Sequence, residues 1–194
     1  MKRIVNKKKL EVFLVVITLM TLLFGIGEII KEQLKPVSFM QNDIKELRNF
    51  EALDGNISYK LPSKWTTSTE TFPGGQIVYH NNFKSEDLLI SGFVQVWNYE
   101  DDLKRFLDMS KKVSESENKI KNYKITNIKV SGKEGYMIKY NMKSKKIDYT
   151  VYEYFIKRQK GFVRFSFFTR NKNFREYMGT LYDSIVRTLE IKEG

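Results

Sequence analysis

The chain has 194 residues, with 34 basic and 23 acidic side chains, a net charge of +11, one histidine and no cysteine. That inventory excludes a disulfide framework, thiolate chemistry and a lipid-bearing cysteine, and it leaves too few ligands for a zinc site or a histidine-dependent triad. The positive balance suits anionic surroundings such as phospholipid headgroups or wall polymers. Lysine, asparagine and isoleucine are common while alanine occurs once, at Ala52. This bias fits an AT-rich bacterial genome and is itself a plain compositional source of the charge.

Residues 1–9 form a basic tail with Lys2, Arg3, Lys7, Lys8 and Lys9 and no acid. Behind it stands a sixteen-residue uncharged run, Val12–Gly27. A helix crossing the bilayer needs about 20 apolar residues. Extending the run to 10–30 meets that length and places Glu11 and Glu28 near the ends, where a carboxylate reaches the headgroups. The segment is therefore read as a transmembrane signal-anchor. The positive flank keeps the N-terminus cytoplasmic and sends the rest of the chain outside. A secretory signal cleaved near Gly27, with Gly25 and Gly27 as the small residues, is the alternative. The length of the apolar run and the absence of alanine there favour the anchor.

Residues 31–56 read as a linker. Pro36 interrupts a helix leaving the bilayer, a short helix is expected behind Asp43 with Glu46 completing its cap, and Asp54-Gly55-Asn56 reads as a turn. From Ile57 the period changes to two. Ile57, Tyr59 and Leu61 alternate with polar residues, and further strands are expected over 76–81 and 88–97. Leu103, Phe106, Leu107 and Val113 then recur at helical spacing behind Glu100, Asp101 and Asp102. Strands are expected over 123–130, 135–143, 149–158 and 162–169. A closing helix over 174–189 has Phe174, Tyr177, Met178, Leu181, Ile185 and Leu189 as its buried stripe, with Asn173 and Glu176 as a capping box.

The best-specified pairing is the hairpin at Lys160-Gly161. A two-residue turn there sets Gln159 against Phe162 and puts Tyr152, Tyr154 and Ile156 on one face with Val163, Phe165 and Phe167. The other face is mixed, with Val151, Glu153 and Phe155 beside Arg164, Ser166 and Phe168. One helix for each face is the economical cover.

The segments IVYHNNF, KVSGKEGYMIKY, YEYFIKRQKGFVRFSFFT and LYDSIVRTLEI are similar in placement to the PsbP-like superfamily, which includes PsbP and DcrB-type envelope proteins. Leu61-Pro62 with Trp65 just after it, Gly135 before the middle strand, and the aromatic run Phe162–Phe168 leading into the final helix carry the resemblance, which spans residues 57–192. It implies an α+β domain: an α/β/α sandwich with a central antiparallel sheet of six or seven strands. It also implies a non-enzymatic binding or accessory role. No photosystem role carries over, because the metal- and chloride-linked residues of the plant protein match no position here.

No catalytic, cofactor-binding or metal-binding residues are assigned, and no cofactor is expected. His80 reads as an ordinary surface or strand-edge histidine. Asp101-Asp102 reads as a helix start and Gly74-Gly75 as a turn. The candidate site is a basic rim of Lys143, Lys145, Lys146, Arg170, Lys172 and Arg175, facing anionic lipid or wall polymer. The expected protein is a single-pass, membrane-anchored, extracytoplasmic binding module. Its expected partners are the membrane and another envelope component, without nucleic acid. An enzyme with an unrecognised pocket is the competing class.

Overall fold

A computed structural model describes residues 46–117 and 120–192. In chain order these form β1 (Leu47–Ala52), β2 (Ile57–Pro62), β3 (Thr66–Thr69), β4 (Ile77–Lys84), β5 (Ile90–Trp97) and α1 (Leu103–Glu117). There follow β6 (Lys121–Val130), β7 (Lys133–Ser144), β8 (Ile147–Arg158), β9 (Gly161–Arg170), α2 (Glu176–Val186) and β10 (Glu190–Ile191). Seven strands pair antiparallel in the order β3-β4-β5-β9-β8-β7-β6, and a smaller sheet runs β1-β2-β10. The architecture is α+β, with one helix packed on each face of the large sheet.

Alternation along the strands decides which face each side chain takes. Tyr152, Tyr154 and Ile156 share a face with Val163, Phe165 and Phe167 through β8–β9 pairing. This face packs against α2 and the small sheet. Phe167 stacks on Tyr182 with ring centroids 4.4 Å apart, and Tyr59 of β2 meets Phe165 edge-on at 5.6 Å. On the opposite face Val151, Phe155 and Phe162 pack with Leu103 and Leu107 of α1, bordered by Trp97 and Phe106. Asp102 starts α1 by accepting the Arg105 N–H at 3.1 Å, which is the structural role expected of that acid.

The β8–β9 hairpin keeps the expected faces but shifts its register by two residues. Arg158, not Gln159, closes the turn, opposite Gly161, and the loop is Gln159-Lys160. Placing the turn on Lys160-Gly161 would force positive φ on the lysine. Here Gly161 alone takes it, at φ +110°, and a Cβ on that residue would sit 2.1 Å from the Trp97 carbonyl oxygen. Because the shift is even, every side chain stays on its face. Gly135 lies inside β7 rather than before it, where a Cβ would fall 2.3 Å from the Phe155 carbonyl oxygen.

Several sequence expectations are corrected. The stretch read as a linker carries β1, which pairs with β2 from Leu47↔Pro62 to Ala52↔Ile57. Asp43, the expected helix start, lies outside the described residues. So does the candidate span 10–30, and among the described residues no helix is long and apolar enough to cross a membrane. Helix α2 is shorter than expected. It starts without an Asn173–Glu176 box, since Arg175 occupies the cap position with no side-chain bond. Its buried stripe includes Tyr182 and Val186, while Tyr177 is only half-buried. Val113 is 55% exposed, because α1 covers the sheet mainly through its first two turns.

Candidate functional site: the basic end of the large sheet

The register places Lys84, Ile90, Thr169, Thr150, Asn141 and Lys121 near one end of the large sheet. Beyond them the β7–β8 turn carries Lys145 and Lys146, Lys143 pairs with Asp148, and Tyr149 pairs with Arg170. Lys172 and Arg175 follow in the β9–α2 loop. All six rim residues are exposed, and the register brings them to the same end. Lys157, Arg158 and Lys160 lie at the other end.

The rim is built on unusual backbone. Lys145 and Lys146 both take left-handed φ, +47° and +68°, the conformation that suits Asn-Gly. Arg175 is folded back, its Nη1 donating to the carbonyls of Lys172 at 3.2 Å and Phe174 at 2.8 Å. Lys143, Lys145, Lys146, Arg170 and Lys172 form no ion pair with an acid among the described residues. Unpaired exposed cations stay fully hydrated and available to an anion.

Beside them lies a groove of about 460 Å³ lined by Lys121, Asn122, Asn141, Met142, Lys143, Asp148 and Asn171. Its amides are organised. Asn122 Nδ2 donates to Asn141 Oδ1 at 3.0 Å, Asn141 Nδ2 donates to Thr150 Oγ1 at 3.1 Å, and Thr150 Oγ1 donates to Asn171 Oδ1 at 2.8 Å. The Asn171 N–H donates to the Asp148 carbonyl at 2.9 Å, tying the β9–α2 loop to the β7–β8 hairpin. Sequence reasoning missed this amide cluster. Asn122, Asn141 and Asn171 are scattered in sequence, and only the strand register unites them.

Two buried polar groups lie on the α1 face. Glu153, 6% exposed, accepts from Ser166 Oγ at 2.9 Å and from Arg164 Nη2, whose guanidinium stands over the rings of Phe93 and Phe155. Burial, followed by the Glu153 charge, pushes the Tyr140 hydroxyl well above its ordinary value, and the same two causes raise Tyr123 to about 12. The second group corrects the reading of His80, which is 5% exposed rather than a surface residue. The Trp97 indole N–H, which can only donate, gives a hydrogen bond to Gln95 Oε1 at 2.8 Å. Gln95 Nε2 therefore donates to His80 Nδ1 at 2.9 Å, leaving Nε2–H to donate to Asn82 Oδ1 at 2.9 Å. Asn82 Nδ2 completes the relay by donating to Glu70 Oε1 at 2.8 Å. Both ring nitrogens of the histidine are thereby occupied within the protein. Among the described residues no group of three or more His, Cys, Asp or Glu is arranged to hold a metal ion.

No family model and no curated protein sequence matches the chain. Solved structures do. Cyanobacterial PsbP (CyanoP) from Synechocystis sp. PCC 6803 aligns with a TM-score of 0.58 at 10% identity, over 75% of this chain and 92% of its own. The chain has a PsbP-like fold. A protein from Bacteroides thetaiotaomicron VPI-5482 aligns with a TM-score of 0.51 at 14% identity, over 75% of this chain and 48% of its own. At such identities the likeness concerns the path of the backbone. The basic end is described by this chain's own residues.

Proposed function

We propose that this protein is a membrane-anchored, extracytoplasmic accessory module that uses its PsbP-like domain to hold an anionic envelope component, without catalysing a reaction. One observation carries the reading. Five exposed cations, Lys143, Lys145, Lys146, Arg170 and Lys172, converge on one end of the sheet without acid partners among the described residues, beside a groove of ordered amides. Lysines attract phosphate or carboxylate groups and the amides offer donors and acceptors to hydroxylated ones. The basic tail and the apolar run before residue 31 support placement of this domain outside the cytoplasm. The buried carboxylate Glu153 is already held by Arg164 and Ser166, which suits structure better than proton transfer.

Two measurements test the proposal. Alkaline phosphatase fused to the C-terminus is expected to be active in cells that retain the full-length chain in their membranes. An inactive fusion overturns the outward placement, and a mature chain beginning after Gly27 replaces the anchor with secretion. Crosslinking in intact cells followed by mass spectrometry is expected to recover envelope components. Those components should be lost when all six rim residues are changed to Glu; the same recovery from both proteins would dismiss the rim as the binding surface.

A further inference from the structure

Three features that are far apart in sequence meet at the basic end. The first is the rim itself. The second is the β4–β5 turn, residues 85–89, which projects beyond Lys84↔Ser91 on the same end. Its tip is Leu88, 73% exposed and held at φ +59°. A leucine is poorly suited to that backbone and to water, so neither the turn nor solubility accounts for it. The turn is nevertheless firmly built, with Ser85 Oγ and the Leu89 N–H both donating to Asp87 Oδ1, at 2.6 and 3.0 Å. The third feature is the place where the chain joins the domain. Glu46 accepts the Ser63 N–H at 2.8 Å, and Ser63 lies just before β3, whose Thr66 pairs with Lys84. The polypeptide that precedes Glu46 therefore reaches the domain at the end that carries the lysines and Leu88.

We infer that this end docks on the anionic phospholipid bilayer in which the chain is anchored, with Leu88 entering the headgroup layer and the basic rim lying against lipid phosphates. The inference rests on the membrane-anchor reading above. Residues 31–45 span at most about 50 Å when extended, which keeps the domain close to the bilayer at a high effective concentration. Weak attraction per lysine then suffices, and a single inserted leucine fixes orientation. Acids at this end oppose docking only in part. Glu86 pairs with Lys64 at 3.6 Å and Glu176 with Lys139 at 3.7 Å. Asp148, opposite Lys143 only in register, and the exposed Asp87 beside Leu88, held by Ser85 Oγ and the Leu89 N–H, keep their charge.

The absence of cysteine permits a direct test with single-cysteine labels. The full chain is reconstituted in vesicles carrying headgroup-quencher lipids, with an environment-sensitive fluorophore on Ser144→Cys at the basic end or on Lys160→Cys at the other. In vesicles about one-third phosphatidylglycerol, the Ser144 label is expected to be quenched at least about twofold more than the Lys160 label. The difference should vanish in phosphatidylcholine vesicles and at about 0.5 M salt, and shrink in Leu88→Ser. Equal quenching of the two labels, or stronger quenching at Lys160, overturns the proposal. So does a Ser144 label that responds to purified wall polymer but to no vesicle. Carbonate extraction reports separately on the anchor: a chain released by carbonate refutes anchoring, while the label pair on that released chain with added vesicles still decides docking.

Discussion

The two faces of the large sheet are made by the same strands but solve burial differently. Under α2 and the small sheet the residues are rings and branched aliphatics, with Phe165, Phe167 and Val163 fully buried. Polar atoms there are few and specific, as where Tyr154 Oη donates to Asp183 at 2.6 Å and Thr169 Oγ1 bonds Tyr182 Oη at 2.7 Å. On the α1 face the sheet instead buries a carboxylate, a histidine and a glutamine, each satisfied by neighbours on the same or adjacent strands. The first face gains stability from area and close packing. The second depends on paired polar groups, so it tolerates loss of a whole pair better than loss of one partner.

The largest effect is expected from Phe167→Ala, which empties the space between Phe83, Tyr154 and Tyr182. A loss of about 3–5 kcal/mol should appear as a lower midpoint in denaturant. A loss below about 1 kcal/mol would mean that this face is not the packed one. Glu153→Ala leaves the half-buried Arg164 without its carboxylate and should cost about 2 kcal/mol. The comparison sharpens in the double variant Glu153→Leu with Arg164→Met, which should recover most of that loss by removing both charges. If it recovers nothing, the pair contributes more than mutual compensation.

Alkaline titration tests the α2 face by another route. Burial raises the hydroxyls of Tyr59, Tyr154 and Tyr182 above the ordinary value of 10.0. The folded state then holds protons that the unfolded chain releases, so the contribution of these groups is complete below pH 10 and is lost as pH rises toward their folded values. Tyrosinate absorbance should appear together with loss of near-UV circular dichroism. Ionisation of those residues in a protein that stays folded would contradict it. Replacing Lys145-Lys146 by Asn-Gly, which suits the left-handed turn, should stabilise by about 1 kcal/mol in thermal melts. The smallest change is expected from reversing the rim charges, within about 0.5 kcal/mol, since those side chains support neither face.

How much of this was legible follows from where the signal resides. The alternation of Ile57, Tyr59 and Leu61 announced β2, and the parity of Tyr152, Tyr154 and Ile156 assigned the faces correctly although the turn moved by one residue. In β1 the run Leu47-Arg48-Asn49-Phe50-Glu51-Ala52 has no period of two, because the strand lies at the edge of a small sheet and is mostly exposed. Strand β3, Thr66–Thr69, is an edge strand without a single large apolar residue. His80 was misjudged because its burial depends on Gln95 and Trp97 from the next strand, which local pattern does not report. The six rim residues could be placed on one end because hairpin order alone determines which turns are neighbours. The groove could not, because its amides converge only through the register.

Strand β2 is paired on both sides, with β1 along its whole length and with β10 at Ser58 and Ile57. That arrangement has a mechanical consequence. A pull transmitted through the chain before Glu46 arrives first at the Leu47↔Pro62 pair, at the edge strand of the small sheet. Strand β1 can peel from that pair toward Ala52 while β10 keeps the far end of β2 closed. Under such a pull the mostly exposed edge strand β1 is expected to open before the seven-stranded body.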